Sequence, residues 1–538
     1  MTLYAECARH RMLAGVMFLA FAQAGVATLA AQVRDSVPAR AVRKPTTAED
    51  LQMFSQVLNQ IRVNHPDSID THDLFIAAVQ GMVTAADPHS FLIPAVRLDP
   101  AREEAFREGR LHPVPVSFRF VGRDPIVVSV TPGTRASRLD ILPGDELVAI
   151  DGRPVVAESA IELDITLAGE RGTPVILTIE RRRLDGTVVR LTRAVQREKF
   201  EDASAVPVSF MLDGETGYVR VTSFANDRVA EDLHAALERL EGLGMRRLVL
   251  DLRDNGGGSV QEAARIAGEF LPAGALVYST AGKKKEVVTE GHVSRSFWRR
   301  ERRYPTVLMV NEGTASASEL VAGALQDHDR ALIIGRPTFG KALMMGGFPL
   351  TDGSVFVLVV GHVKTPCGRV VQRQYRSITR REYYRLAVAE RDTAGRPRCK
   401  TTGGRTVYGG GGIYPDVVLP ERPAVPLWLA RAREQDLVLK WVNNQLATSH
   451  QFPTVESLAA QTTVGATALT DFRAFAARES VAIPPGPEAD DALSRALLQT
   501  IAHARFGDAG FFRVIAVHDA ELASAVRAFV RAEEILRK

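Results

Sequence analysis

Between Thr216 and Leu419 short apolar runs and amphipathic stretches take turns along the chain. Gly-Tyr-Val-Arg-Val precedes a helical stretch from Asp227 to Glu241, and Arg247-Leu-Val-Leu-Asp-Leu precedes another from Val260 to Phe270. Thr306-Val-Leu-Met-Val precedes a third, from about Ala317 to Gln326, and Ala331-Leu-Ile-Ile follows it. Strands alternating with helices pack as a sheet with helices against it, so this part of the chain is expected to form an α/β core. Strand runs that are apolar throughout fit burial on both faces.

The flanks differ. Leu51 to Val63 and Asp73 to Ala85 have helical apolar spacing and predict a small helical N-terminal unit. From His112 to Arg197 the chain carries short strand-like runs punctuated by Gly and Pro, which predict a compact β-rich domain. Beyond Pro420 helical patterning returns, in Leu427 to Ala447 and in the Ala- and Arg-rich tail from Leu493. A chain of 538 residues is too long for one core, and these shifts divide it into about three or four domains.

At the start, Arg9-His-Arg followed by the uncharged apolar stretch Met12 to Ala30, ending in small residues, has the form of a secretory signal and predicts an exported, periplasmic protein. Left uncleaved, the same stretch would anchor the chain to a membrane. Removing it takes away Cys7 and leaves Cys367 and Cys399, which an oxidising compartment allows to pair if their geometry permits. Neither cysteine has a Cys or His at ligand spacing, so no metal site is expected. A net charge of +4 gives no general case for nucleic acid, and Trp298-Arg-Arg-Glu-Arg-Arg reads as a solvated surface turn.

The octapeptide Gly335-Arg-Pro-Thr-Phe-Gly-Lys-Ala comes within one residue of a nucleotide-binding P-loop. Ala342 stands where the magnesium-ligating hydroxyl belongs, and the Gly, Pro and Asp-Gly that follow predict a hairpin instead of a phosphate-cradling helix. Lys341 therefore has another role, or none. Upstream, Asn311-Glu-Gly-Thr-Ala-Ser-Ala-Ser-Glu leads from a strand into a helix and puts Ser316 at the turn, beside backbone donors of the helix N-terminus. Thr314, Ser316 and Ser318 are also simple N-cap candidates. Strand-end loops converge in open α/β sheets, which favours meeting of Ser316 and Lys341. The apolar loop around Lys341 would favour its neutral, basic form. Asp251-Leu-Arg-Asp-Asn-Gly-Gly-Gly likewise joins a strand to a helix and can aim an N–H at a developing oxyanion.

With Asp87-Pro-His-Ser, Leu142-Pro-Gly-Asp-Glu-Leu-Val-Ala-Ile-Asp-Gly, Thr338-Phe-Gly-Lys, Thr365-Pro-Cys-Gly-Arg and Gly412-Ile-Tyr-Pro-Asp in the same order, the chain resembles the C-terminal processing (tail-specific) proteases over about residues 50 to 420. These are Ser-Lys serine endopeptidases with an inserted PDZ domain. The resemblance implies a crotonase-like α/β core, Ser316 as nucleophile, Lys341 as base, and the amides of Ala317 and Gly258 as the oxyanion hole. It implies protein or peptide substrates, no nucleic acid and no cofactor or metal. The corresponding division is a signal at 1–31, a linker and helical N-terminal domain at 32–110, a PDZ domain at 111–198, a peptidase core at 199–420 and a helical extension at 421–538.

Two departures stand out. Ala342 replaces a family glycine, and Met345 sits where the family has a Gln that orients the lysine; a thioether cannot donate to an amine. Glu319, one turn after Ser316, is a candidate substitute. In the PDZ-like segment Val114-Pro-Val-Ser-Phe-Arg-Phe replaces a glycine-rich carboxylate-binding loop, and proline removes a donor there. A degenerate, peptide-holding homologue is thus one alternative reading, and a crotonase-like acyl-CoA enzyme is another that leaves the signal and the PDZ-like insertion unexplained.

Overall fold

The computed structural model describes residues 45–537, apart from short stretches of which the longest are 94–98, 183–187, 199–203, 295–300, 387–391 and 447–453. The apolar N-terminal stretch and the candidate signal lie outside the described residues. Among the described residues no helix is long and apolar enough to cross a membrane.

The chain separates into two compact units, residues 1–79 and 80–538. In the first, helix Thr47–Asn64 starts at Thr46, whose side chain and Glu49 cap each other's backbone N–H. Phe54 meets Phe75 edge to face at 6.3 Å. The predicted helical pattern there is observed, with helix Thr71–Ala86 beginning two residues before its sequence estimate.

The second unit is built on a six-stranded sheet in the order Val417–Val418, Leu332–Gly335, Thr306–Val310, Arg247–Asp251, Thr216–Arg220 and Val208–Met211. The first five run parallel, and the last pairs antiparallel at the edge. Successive side chains point to opposite faces, so both must be covered. Leu248, Leu250, Leu308, Val310 and Ile333 pack on one face against helices Val229–Gly242, Val260–Ala267 and Ala317–Asp327. Val249, Val307, Met309, Leu332 and Ile334 pack on the other against Leu522, Ala525, Phe529 and Ala532 of helices Ala520–Arg527 and Phe529–Leu536. Helices Ala520–Arg527 and Phe529–Leu536 thus cover the sheet's second face.

A second sheet runs Phe91–Ile93, Val355–Lys364, Leu276–Ala281, Val287–His292, with Leu343–Pro349 paired to Val355–Lys364 as the expected hairpin. Residues 336–342 therefore bridge the two sheets. The segment before the core forms strands Val116–Val121, Asp124–Val130, Glu146–Ile150, Pro174–Arg182 and Val188–Gln196 around a core of its own, with helix Ala160–Leu167 packed into it. The helical patterning expected from Leu427 is observed, as helices Leu427–Glu434 and Leu437–Leu446.

Cys367 and Cys399 are joined in a disulfide with Cα atoms 6.2 Å apart. One expectation is corrected. Residues 298–300 lie outside the described residues, but Arg302 of that charge run is buried and not solvated, because Glu241 and Glu269 present carboxylates to its guanidinium. A charge this well paired can be buried at tolerable cost.

Candidate active site

Three loops meet at the carboxyl ends of the parallel strands: 251–258, 311–316 and 336–342. Asn311, 0% exposed, ties the first two, its Oδ1 accepting from the Asp254 N–H (2.9 Å) and its Nδ2 donating to Asp254 Oδ1 (2.7 Å). Thr314 Oγ1 donates to the Leu252 carbonyl at 2.8 Å, and the Ala315 N–H to the Asn255 carbonyl at 2.9 Å. The third loop joins through the Phe339 N–H on the Thr314 carbonyl at 3.0 Å. Buried amides without partners would be costly, and these turns satisfy one another.

Ser316 stands at the strand-to-helix turn with φ +56° and ψ −118°, a conformation rare for a residue with a Cβ and costing about 1–3 kcal/mol. The Glu319 N–H goes to the Ser316 carbonyl at 2.9 Å. The side chain of Ser318 is buried in the helix, whereas Ser316 is part-exposed, so the two serines are not equivalent.

Gly257, at φ +93°, lies so close to this turn that a Cβ there would stand 2.6 Å from the Ala315 carbonyl oxygen and 2.8 Å from the Ala317 nitrogen. Gly258, at φ +148°, presses instead on Phe224, leaving 2.3 Å for any Cβ. The N–H groups of Ala317, first in its helix, and of Gly258 have no backbone acceptor among the described residues. Both glycines are thus needed for closeness, and the two amides are available to a ligand.

Glu319 is wholly buried, and its carboxylate collects four donors. Oε1 accepts from Thr338 Oγ1 and from the Gly340 N–H at 2.7 Å. Oε2 accepts from the Ser316 N–H at 2.9 Å and the Lys341 N–H at 2.8 Å. Only those two hydrogen bonds separate the main chains of Ser316 and Lys341. Burial pushes this carboxyl above the usual carboxylate range, against the opposing pull of the Thr338, Lys341, Gly340 and Ser316 donors. The sequence singled out Glu319 as a helper for the lysine amine; the structure has it gripping the lysine backbone. Lys341 itself is part-buried.

Met345 lies on strand Leu343–Pro349, opposite Val359 and just past a register shift at Met344. Two side chains that sequence reasoning passed over are nearer in effect. Gln372 accepts from the Ala342 N–H at 2.8 Å, and Tyr383 Oη donates to the Gly340 carbonyl at 2.7 Å. No sequence signal pointed to them. Among the described residues no group of three or more His, Cys, Asp or Glu side chains is arranged to hold a metal ion.

Residues 215–379 match the family model of peptidase family S41, and residues 126–181 match that of a PDZ domain. The chain is 30% identical over 331 residues to the carboxy-terminal-processing protease of Bartonella bacilliformis, covering 61% of this chain and 73% of the relative. It is 35% identical to the chloroplastic carboxyl-terminal-processing peptidase 2 of Arabidopsis thaliana, over 45% of this chain and 46% of that one. Against Bacillus subtilis carboxy-terminal processing protease CtpA the identity is 27%, over 60% and 66%. A solved photosystem II D1 C-terminal processing protease aligns over 71% of this chain and 95% of its own, at 24% identity and a TM-score of 0.34, too low to carry an argument. With a relative covered so extensively, and with both family models matched in the order found along the chain, the protein belongs to the carboxy-terminal-processing proteases of peptidase family S41.

Proposed function

We propose that the chain is an exported, periplasmic serine endopeptidase that cleaves unfolded or tail-exposed proteins through an acyl-enzyme on Ser316, with Lys341 as general base and a crotonase-type core. The observation that carries this reading is the single buried oxygen of Glu319 that receives both the Ser316 and the Lys341 N–H. Ser316 Oγ attacks the scissile carbonyl while its proton passes to the Lys341 amine. The Ala317 and Gly258 amides take the charge that develops on the carbonyl oxygen. Collapse expels the leaving amine, which receives the proton from Lys341. Water then attacks the ester, Lys341 again accepting the proton and passing it to Ser316 Oγ as the ester C–O bond breaks and the acid product leaves. Nothing in this sequence of steps calls on a cofactor.

A second reading, peptide capture without cleavage, is favoured by Met345 in place of the family Gln. Incubation of the purified protein with an unfolded model substrate separates the two. Ser316→Ala and Lys341→Ala are each expected to abolish cleavage while the protein stays folded, and the double variant to be no worse, because nucleophile and base act as a unit. Undiminished turnover by Ser316→Ala would sink the assignment.

A further inference from the structure

We infer that Gln372 and Tyr383 are positioning residues for Lys341, and that they take over the ordering role left open at position 345. The inference rests on Lys341 being the general base. Glu319 secures the N–H groups of Gly340 and Lys341 but does not reach the rest of the turn. There the Ala342 N–H is held by Gln372 Oε1 at 2.8 Å, and the Gly340 carbonyl by Tyr383 Oη at 2.7 Å and the Arg373 N–H at 2.8 Å.

The two side chains also fix each other. Gln372 Nε2 donates to Tyr383 Oη at 3.0 Å and to the Arg373 carbonyl at 2.8 Å, so its amide can face only one way. Tyr383, having accepted from Gln372, turns its own proton to Gly340. Gln372 is 7% exposed and Tyr383 0%, and the Tyr383 ring packs on Phe339 with centroids 5.4 Å apart. Partners this buried exchange poorly with water and hold their geometry.

A lysine base needs its amine on the nucleophile's hydroxyl, and small misplacements of a reacting group are costly. The family's orienting side chain is absent from position 345. In its place the main chain on both sides of Lys341 is pinned by residues thirty and forty-three positions downstream, inside the covalent loop closed by Cys367 and Cys399. The order these residues supply acts through the main chain of Lys341.

The test is steady-state cleavage of one peptide series by wild type, Gln372→Leu, Gln372→Glu and Tyr383→Phe, with melting temperatures and with Ser316→Ala in parallel. Gln372→Leu should lower kcat about 10- to 100-fold with KM within about twofold, and Tyr383→Phe about tenfold. Gln372→Glu, which keeps the acceptor for Ala342, should recover part of the loss. Combining Gln372→Leu with Tyr383→Phe should cost less than the sum, because the two share a hydrogen bond. Reducing the disulfide should lower kcat in the same direction. Rates within about twofold of wild type in both Gln372→Leu and Tyr383→Phe, with Ser316→Ala inactive, overturn the positioning role alone. Losses of kcat that merely follow melting temperature overturn it too. Normal turnover by Ser316→Ala overturns the reading beneath it instead.

Discussion

Gly257 occupies a space that no other residue can share. Its positive φ and the 2.6 Å left to the Ala315 carbonyl oxygen mean that an alanine must push the Ser316 turn away from the glycine loop. Gly257→Ala should destabilise the protein by about 1–3 kcal/mol, read from denaturant unfolding, and should lower kcat at least about a hundredfold. Gly242, where a Cβ would meet nothing within 4 Å, supplies the control, since Gly242→Ala there should leave kcat unchanged. A second residue-scale prediction concerns Glu319. Its four donors need four acceptor sites, and a Gln turns an NH2 toward two of them. Glu319→Gln should cost roughly 1–3 kcal/mol in a thermal or denaturant melt and should slow cleavage without weakening substrate binding. A variant as stable and as fast as wild type would show that the carboxylate's contacts are dispensable.

Among the elements, those buried on both sides were the most legible in the sequence. Arg247–Asp251 and Thr306–Val310 read as strands because burial on both faces demands unbroken apolar runs, and the loops after them carry small residues for the same packing reasons. Helix Ala160–Leu167 was missed. Its buried residues are Leu163, Ile165 and Leu167, a spacing of two that imitates a strand, and its β-branched isoleucines reinforce the imitation. Ser316, Lys341 and Glu319 were legible because each belongs to a local motif at a strand end. Gln372 and Tyr383 were not, because they lie on stretches without period and reach Ala342 and Gly340 only through the folding of the chain around them. The family's orienting residue is sought at a fixed offset from the lysine, and a contact made across thirty positions leaves no such offset to find.

At the scale of the molecule, helix Ala520–Arg527 is clamped to the roots of the glycine loop and the lysine loop. Glu521 pairs with Arg253 (2.7 Å), Arg336 (2.5 Å) and Arg422 (3.1 Å), reaching both the glycine loop and the lysine loop. Burial works to raise the Glu521 carboxyl, but hydrogen bonds from Arg422, Arg336 and Arg253 outweigh it and bring it down to about 2. A carboxyl held below its unfolded value stabilises the fold above the unfolded pKa, and that contribution fades as pH falls toward the folded one. The stability advantage of wild type over Glu521→Gln should therefore be full at neutral pH, on the order of 2 kcal/mol, and should vanish between about pH 4.5 and pH 2 in melting experiments. An advantage independent of pH would assign it to shape and not to charge. The sheet that these helices cover has a consequence for the order of synthesis. Strands Arg247–Asp251, Thr306–Val310 and Leu332–Gly335 are made long before Leu522, Ala525 and Phe529 arrive to cover their second face. Until then the nascent chain carries a bare apolar sheet and an unclamped glycine loop. Ending the chain at His518 should yield a protein that binds hydrophobic dyes, needs chaperones to stay in solution and cleaves nothing. Cleavage of neighbouring chains would then have to wait until residues 520–536 have been made and have packed onto the sheet.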